Sequence, residues 1–384
     1  MAEVTKVTEV RGTCEPRFDA VRSTLAAQLE SGADLGASVA VFLGGEPVVD
    51  IWGGWADAEK TRPWERDTIT NVWSTTKTMT FLCALMLHDR GELDFDAPVA
   101  TYWPEFAAGG KEHIEVRHVM GHTAGLSGWE EPLVANDLAD WEKCTSLLAA
   151  QAPWWEPGSG SGYHAVTQGY LIGEIVRRIA GESIGRWFAR EVATPLDADF
   201  HIGLPESEDH RVSNVIPPPP VDIEAMAGQV PELMLKTFGN PPIDATMAHH
   251  AWWRHAEIPA ANGQGNARSV AAIQSIVAGR GEARGVRLLS AEGTDPIFEV
   301  QAEGIDKVLG VPERIGMGYG LSNPPDMPLG PRACYWGGYG GSVVIIDQDA
   351  ELVVCYVMNR MESGLVGDPR GANIVAATVA GLAS

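Results

Sequence analysis

Residues 71–80 have the sequence NVWSTTKTMT, in which an SxxK tetrad leads into a helix that we predict over residues 75–89. Side chains three positions apart project from the same face of a helix, so the Lys77 amine can lie within hydrogen-bond reach of the Ser74 hydroxyl. A neutral amine can remove the hydroxyl proton, and burial lowers a lysine pKa toward the neutral state. The tetrad predicts a serine nucleophile with a lysine base, although an N-capping serine followed by a surface lysine has the same spacing.

Strand signals occur near both ends of the chain. Residues 37–52 contain two runs of β-branched and aromatic side chains on either side of a Gly44-Gly45-Glu46-Pro47 turn. Residues 342–358 show the same arrangement around residues 347–351, with more apolar runs. Both stretches predict β-hairpins, the second more buried than the first.

Helical signals lie mainly between these strands. We predict helices over 166–179, with Gly181 as a C-cap, and over 372–382 at the end of the chain. Strands from both termini with helices inserted between them predict an α/β (α+β) fold, in which an antiparallel sheet built from both chain termini is flanked by helices. At 384 residues, 45% of them hydrophobic, the chain can bury one large catalytic core.

We expect one catalytic domain over 1–384, with two parts. Residues 1–85 and 265–384 are predicted to form an α/β subdomain, and residues 86–264 a mainly helical subdomain. Within the latter, residues 207–255 have little periodicity and predict an irregular insertion, which includes a stiff extended stretch at Pro217 to Pro220.

The charge balance limits the partners. The chain has 28 Lys and Arg residues against 51 Asp and Glu residues, a formal net charge of −23, which disfavours nucleic acids and anionic membrane surfaces. The N-terminal stretch lacks the apolar run of a secretion signal, and no stretch approaches the length of a membrane span, so we expect a cytoplasmic location. Five scattered cysteines without CxxC spacing favour ordinary thiols over disulfides or a zinc site.

The sequence around the tetrad resembles that of a known family. Residues 85–94 (LMLHDRGELD), 102–106 (YWPEF) and 122–126 (HTAGL) follow the tetrad in an order typical of the penicillin-recognising serine hydrolases. More narrowly, the chain is similar to their class C β-lactamase-like esterase branch, the family VIII carboxylesterases. The resemblance extends from about Phe18 to the last helix.

The resemblance implies two further motifs. Tyr163 corresponds to the tyrosine of the family's YxN motif, which begins a helix and takes part in the proton transfers of the serine and lysine. Ala165 replaces the asparagine of that motif, which in lactamases helps to hold the side-chain amide of a β-lactam. Trp336-Gly337-Gly338 corresponds to the lactamase KTG motif, and the N–H of Tyr339 would join that of Ser74 in an oxyanion hole.

The KTG motif has lost its lysine in this chain, and with it the cation that would bind a lactam carboxylate. Trp336 supplies an apolar wall instead, which suits an uncharged ester better than an anionic drug. We therefore expect substrate contacts from Trp336, Gly337 and Gly338.

Other candidate residues are assigned lesser roles. His118 and His122 have i, i+4 spacing, but no third zinc ligand suggests itself, so His122 is predicted to be a buried histidine that holds a loop by hydrogen bonds. His164 is predicted to have a surface role, because adjacent helical residues point in different directions. Residues 158–162 do not match the GxSxG elbow of α/β-hydrolases, because the third position is Gly160.

Together these features predict a serine carboxylesterase that acts on short-chain, small-molecule esters through an acyl-enzyme on Ser74, without a metal or organic cofactor. β-Lactamase, amide or D-peptide hydrolase and acyltransferase activities would use the same site and remain alternatives. A catalytically silent binding protein on the same fold is a further alternative. A homo-oligomer is possible from the sequence.

Overall fold

A computed structural model describes residues 9–219, 228, 230–322, 329–365 and 367–383. The strands of the described residues are β1 Arg11–Cys14, β2 Gly36–Leu43, β3 Glu46–Gly54, β4 Ile69–Asn71, β5 Val212–Ser213, β6 Gln264–Gly265, β7 Glu282–Ala283, β8 Val286–Arg287, β9 Ala302–Ile305, β10 Pro312–Ile315, β11 Gly320–Leu321, β12 Ala333–Gly337, β13 Val343–Asp347 and β14 Leu352–Met358. Nine of them form one antiparallel sheet in the order β1-β3-β2-β14-β13-β12-β11-β10-β9. The other five form a three-stranded sheet, β5-β4-β6, and the hairpin β7-β8.

Helices pack on this sheet and on one another. The α-helices of the described residues are α1 Asp19–Ser31, α2 Lys77–Asp89, α3 Val116–Met120, α4 Trp141–Ala150, α5 Thr167–Ala180, α6 Ile184–Phe188, α7 Glu232–Gly239, α8 Ala251–His255, α9 Ala267–Ala278 and α10 Pro369–Leu382. Helix α9 packs on β2, β13 and β14, while α1 and α10 pack on each other and on the sheet. Successive residues of β2 and β14 are buried, so helices or loops cover both faces at the centre of the sheet.

The two predicted hairpins are present, and they meet in the middle of the sheet. Strands β2 and β3 turn through Gly44 and Gly45, both of which have positive φ, while β13 and β14 form the second hairpin. Strand β2 pairs with β14 from Ala37 opposite Met358 to Leu43 opposite Leu352. The predicted antiparallel sheet built from both termini is therefore confirmed.

The helix predictions are right in position and differ at their ends. The stretch predicted over 75–89 begins with a 3₁₀ turn, Trp73–Thr76, before α2 starts at Lys77. Helix α5 ends at Gly181, which has a φ of 74° and donates its N–H to the Arg177 carbonyl as a C-cap. The last helix starts three residues earlier than predicted, with Pro369 in its first turn.

The stretch predicted as an irregular insertion, 207–255, contains β5, α7 and α8 among its described residues. Of the predicted stiff stretch, residues 217–219 have no regular secondary structure and Pro220 lies outside the described residues. Helix α2, by contrast, is almost wholly buried from Lys77 to Leu87, in contact with α5 and α6. No helix within the described ranges has the length and apolarity that a bilayer crossing requires.

Candidate active site

The chain reaches Ser74 through a strained turn. Strand β4 ends at Asn71, and Trp73 then adopts a φ of 50°, which a bulky side chain rarely occupies and which costs about 1–3 kcal/mol. Packing compensates for this cost, because the buried Trp73 ring contacts the rings of Trp253 and Tyr339, each with a centroid distance of 5.5 Å. The turn places Ser74 at the start of the 3₁₀ segment, with 9% of its surface exposed.

Three side chains predicted from distant motifs meet at this turn. The Lys77 Nζ lies 3.0 Å from the Ser74 Oγ, and the Tyr163 hydroxyl donates a hydrogen bond of 2.7 Å to the same oxygen. The Lys77 Nζ is also 5.0 Å from the centroid of the Tyr163 ring. The hydroxyl, amine and phenol therefore share one buried cluster, as the sequence motifs predict.

The environment of Lys77 favours the neutral amine. Its side chain is fully buried, and burial holds the pKa of Lys77 well below its usual range. The Nζ lies 2.6 Å from the Ala165 carbonyl oxygen and 3.0 Å from the Ala260 carbonyl oxygen. A neutral amine has two N–H groups, which these carbonyls can accept, and one lone pair, which is left to face the Ser74 hydroxyl.

Tyr163 lies in a loop and does not begin a helix as the resemblance implies: α5 starts four residues later, at Thr167, one residue after the start predicted from the sequence. The loop is fixed instead by Asp306, whose Oδ1 accepts the Tyr163 N–H at 3.0 Å. Burial raises the pKa of the Tyr163 phenol, while hydrogen bonding with Ser74 and Trp336 acts in the opposite direction. The phenol is therefore a protonated donor at neutral pH.

Two buried histidines stabilise this loop by hydrogen bonds. His164 is fully buried, and its ring bonds the Gly162 carbonyl through Nδ1 and the Leu126 N–H through Nε2, so the predicted surface role is wrong. That prediction assumes a helical His164, whereas the residue lies in a loop within the core. His122 is buried as predicted, and its Nδ1 accepts the His164 N–H at 2.9 Å.

Both imidazoles are neutral at ordinary pH. Burial lowers the pKa of His164 to about 3 and holds the pKa of His122 well below its usual range. The rings therefore add no positive charge beside the Lys77 amine. The hydrogen bonds of the two histidines stabilise the loop that carries Tyr163.

The motif Trp336-Gly337-Gly338 forms the end of β12 and the turn after it. The Trp336 ring stacks on His122 with a centroid distance of 5.4 Å and meets the edge of Phe81 at 5.6 Å, so both rings hold it in place. Its ring centroid lies 6.1 Å from that of Tyr163. The motif is therefore next to the cluster of hydroxyl, amine and phenol.

Gly338 lets the two parts of the site approach each other. The Ser342 hydroxyl donates to the Val72 carbonyl at 2.9 Å and lies 3.0 Å from the Thr75 hydroxyl, which ties the strand end to the Ser74 turn. A Cβ on Gly338 would lie 2.3 Å from both the Ser342 Oγ and the Val72 carbonyl oxygen. Any larger residue would push β12 away from the Ser74 turn.

The Gly338→Ala variant is therefore expected to lose about 1–3 kcal/mol of unfolding free energy and at least about tenfold in kcat/KM for a short ester. Urea unfolding and ester kinetics measure the two effects. Gly239→Ala is the matched control, because its Cβ would meet nothing within 4 Å. Equal behaviour of the two variants would show that the close approach at Gly338 is unimportant.

Comparisons with known proteins agree with this geometry. The family model described as beta-lactamase matches residues 21–378. The chain belongs to the beta-lactamase family. Over 369 residues, the chain is 36% identical to the esterase/beta-lactamase LipL of Mycobacterium tuberculosis, and the match covers 93% of this chain and 84% of LipL.

Two solved structures resemble this beta-lactamase-family chain along its length. The crystal structure of a family VIII carboxylesterase has a TM-score of 0.92 and 40% identity, and the match covers 97% of this chain and 100% of that one. The crystal structure of a penicillin-binding protein homolog from Caulobacter crescentus has a TM-score of 0.88 and 35% identity, with the same coverage. The beta-lactamase-like fold is thus confirmed, and the chain is a serine hydrolase of the esterase and β-lactamase type.

Sequence reasoning missed one residue that supports the site of this beta-lactamase-family member. Asp306 lies 143 positions after Tyr163, and its Oδ1 accepts the backbone N–H groups of Tyr163, Val308 and Leu309. Neither the neighbouring residues in the sequence nor the family resemblance indicates that Asp306 belongs to the site. Only the contact between the loop and the start of the β9–β10 turn reveals its position.

Proposed function

We propose that the chain is a serine carboxylesterase that hydrolyses short-chain esters through an acyl-enzyme on Ser74. The observation that carries the proposal is the Ser74 hydroxyl, held 3.0 Å from the Lys77 amine and 2.7 Å from the Tyr163 phenol. A hydroxyl between a buried amine and a phenol has both a proton acceptor and a proton donor at hand. This is the arrangement that acyl transfer through a serine ester requires.

In the proposed reaction, the Ser74 oxygen attacks the ester carbonyl while the neutral Lys77 amine takes its proton. The Tyr163 phenol donates a proton to the leaving alkoxide and regains one from the Lys77 side, so that the net transfer is one proton from Ser74 to the alcohol. The backbone N–H groups of Ser74 and Tyr339 are proposed to stabilise the oxyanion. Water, activated by Lys77 and Tyr163, then hydrolyses the acyl-enzyme.

An ester is favoured over a β-lactam by two departures from the lactamase motifs. Ala165 stands in place of the asparagine, and it offers its backbone carbonyl to Lys77. Trp336 stands in place of the KTG lysine and is packed as an apolar wall. The similarity to a family VIII carboxylesterase and to an esterase/beta-lactamase supports the same choice.

We further propose where the substrate binds. The ester would lie between the sheet edge that carries Trp336, Gly337, Gly338 and Tyr339 and the mainly helical subdomain of residues 86–264. This division assigns residues 1–85 and 265–384 to the α/β subdomain. The fixed contact between the Ser74 turn and Ser342 supports a rigid cleft at that boundary.

A substrate panel tests the proposal. The enzyme is expected to hydrolyse nitrophenyl esters from acetate to butyrate, with little or no turnover of a chromogenic cephalosporin or a simple anilide. An organophosphonate ester should stop this activity and add its phosphonyl group to the tryptic peptide that contains Ser74, as read by mass spectrometry. Label on another residue, or faster turnover of the cephalosporin than of the esters, would contradict the proposal.

A further inference from the structure

The turn of residues 338–341, which follows β12, uses three of its four backbone N–H groups within the protein. Those of Gly338, Gly340 and Gly341 donate to backbone carbonyls at 2.7, 3.0 and 3.1 Å. Among the hydrogen bonds of the described residues, none has the fourth N–H, that of Tyr339, as its donor. This N–H therefore remains available to the oxyanion of an ester, in the role proposed for it above.

Two peptide units connect the Tyr339 N–H to the side chain of Arg370 on α10. The Tyr339 N–H and the Gly338 carbonyl belong to one planar peptide unit, so fixing the carbonyl fixes the direction of the N–H. The Gly338 carbonyl accepts the Gly341 N–H at 3.1 Å. The Gly340 carbonyl, which shares a peptide unit with that second N–H, accepts a hydrogen bond of 2.9 Å from the Arg370 Nη2. The guanidinium thus lies at the end of a continuous hydrogen-bonded chain to the proposed oxyanion donor.

The Arg370 guanidinium is itself fixed on several sides. The residue is 6% exposed, and its Nη1 bonds the Asp34 Oδ1 at 2.9 Å while its Nη2 bonds the Asp368 carboxylate. The Tyr356 hydroxyl donates to the same Asp34 oxygen at 2.6 Å, and the Arg360 carbonyl accepts from Nη1 at 2.8 Å. Because the guanidinium is rigid and planar, it cannot turn away from the Gly340 carbonyl without breaking charge-assisted bonds.

The turn lies directly against this ion pair. Gly341 has a φ of 126°, and a Cβ on it would overlap the Asp368 carboxylate and lie 2.8 Å from the Arg370 Nη2. No space therefore separates the backbone of the turn from the Asp368–Arg370 pair. A displacement of the guanidinium must displace the turn as well.

We propose that Arg370 is a positioning residue for the oxyanion hole, a role that rests on the esterase function and the oxyanion donors proposed above. Its guanidinium holds the peptide unit of Gly340 and Gly341. That unit holds the one that ends in the Tyr339 N–H and so directs this N–H toward the ester carbonyl. Arg370 acts only through the backbone. Its effect on rate arises because oxyanion donors stabilise the transition state most when they are in place before charge develops.

A pair of substrates tests the geometry of the oxyanion hole. Nitrophenyl acetate is compared with its thiono analogue, in which sulfur replaces the carbonyl oxygen. Sulfur is larger than oxygen and accepts hydrogen bonds weakly, so donors placed for an oxyanion stabilise the corresponding sulfur anion less. After division by the ratio of the hydroxide-catalysed rates, the wild-type kcat/KM is expected to be about 100-fold or more higher for the oxygen ester, as measured by nitrophenolate release.

Arg370→Lys should lower this ratio about tenfold or more, because an ammonium cannot replace a planar guanidinium at partners on several sides. Arg211→Lys is the matched control. Arg211 also bonds two carboxylates and a backbone carbonyl, those of Asp199, Glu208 and Asp67, and it bonds no residue of the turn. Its ratio should equal that of the wild type. Because each ratio is taken within one enzyme preparation, a smaller folded fraction cancels.

Asp368→Asn provides a second test if Arg370→Lys does not fold. Asparagine caps a helix about as well as aspartate, so α10 should keep its start. The substitution removes a negative partner from the Arg370 guanidinium, and the ratio of ester to thionoester is expected to fall about threefold or more.

The same assays separate the role of Arg370 from the function on which it rests. Wild-type ratios in folded Arg370→Lys, or in Asp368→Asn where the first variant does not fold, would overturn the inference and leave the esterase proposal standing. An equal fall in Arg211→Lys would also overturn it. A wild-type enzyme without preference for the oxygen ester would overturn the oxyanion donors together with the inference. Failure to hydrolyse nitrophenyl acetate would overturn the esterase proposal itself.

Discussion

The Ser74→Ala variant is expected to hydrolyse nitrophenyl butyrate with a kcat about 10⁵-fold to 10⁶-fold below that of the wild-type enzyme, because it lacks the hydroxyl that we propose to form the acyl-enzyme. The loss should appear in kcat, since the cleft that binds the ester keeps its shape. Removing one oxygen from a side chain with 9% exposure should change the unfolding free energy little. Stopped assays over hours are needed to measure the residual rate.

Ser146→Ala is the matched control for this variant. Ser146 lies on the exposed side of α4 and bonds only the Lys143 carbonyl, so wild-type kcat is expected. The organophosphonate label should likewise be retained by Ser146→Ala and lost by Ser74→Ala. Ester turnover by Ser74→Ala equal to that of the wild type would refute Ser74 as the nucleophile.

The Lys77→Met variant is expected to lower kcat by about 10³-fold to 10⁴-fold, because the Ser74 hydroxyl loses its proton acceptor. Methionine has a similar length and suits a fully buried position, so the fold should persist. The variant leaves the carbonyls of Ala165 and Ala260 without the Lys77 amine, which costs about 1–3 kcal/mol for each carbonyl that finds no other donor. Ester kinetics and urea unfolding measure the two effects.

The pH dependence of stability tests the protonation state of Lys77. At pH values below the ordinary lysine pKa, the unfolded chain carries a proton on Lys77. At pH values above the lowered pKa of the folded state, the folded chain does not. Within that window, Lys77 contributes a rise of about 1.4 kcal/mol in unfolding free energy per pH unit as pH increases. Lys77→Met should lack this contribution, and an identical slope in both proteins between about pH 7 and 9 would show that the folded lysine is charged.

The sequence could predict that the Ser74 hydroxyl and the Lys77 amine lie together because their relation is local. Three positions on a helical segment bring the Ser74 hydroxyl and the Lys77 amine together, whichever way the rest of the chain runs. The φ of 50° at Trp73 could not be predicted, because an isolated tryptophan disfavours that conformation and only its contacts in the folded core stabilise it.

The rest of the site depends on contacts between distant segments. The family resemblance identifies Tyr163, but the conformation of its loop, and with it the burial of His164, depends on hydrogen bonds to His122 and Asp306. Neither residue propensity nor spacing along the chain predicts these contacts between distant segments.

The pairing of β2 with β14 has a consequence for how the protein is made. Strand β2 pairs with β14, which lies more than three hundred positions later, so residues up to the end of β14 must leave the ribosome before this part of the core can close. Until then, the apolar strand β2 presents an unpaired edge that can associate with other nascent chains. We therefore expect chaperones or slower translation to raise the yield of folded protein, because both protect the first hairpin until the last one emerges.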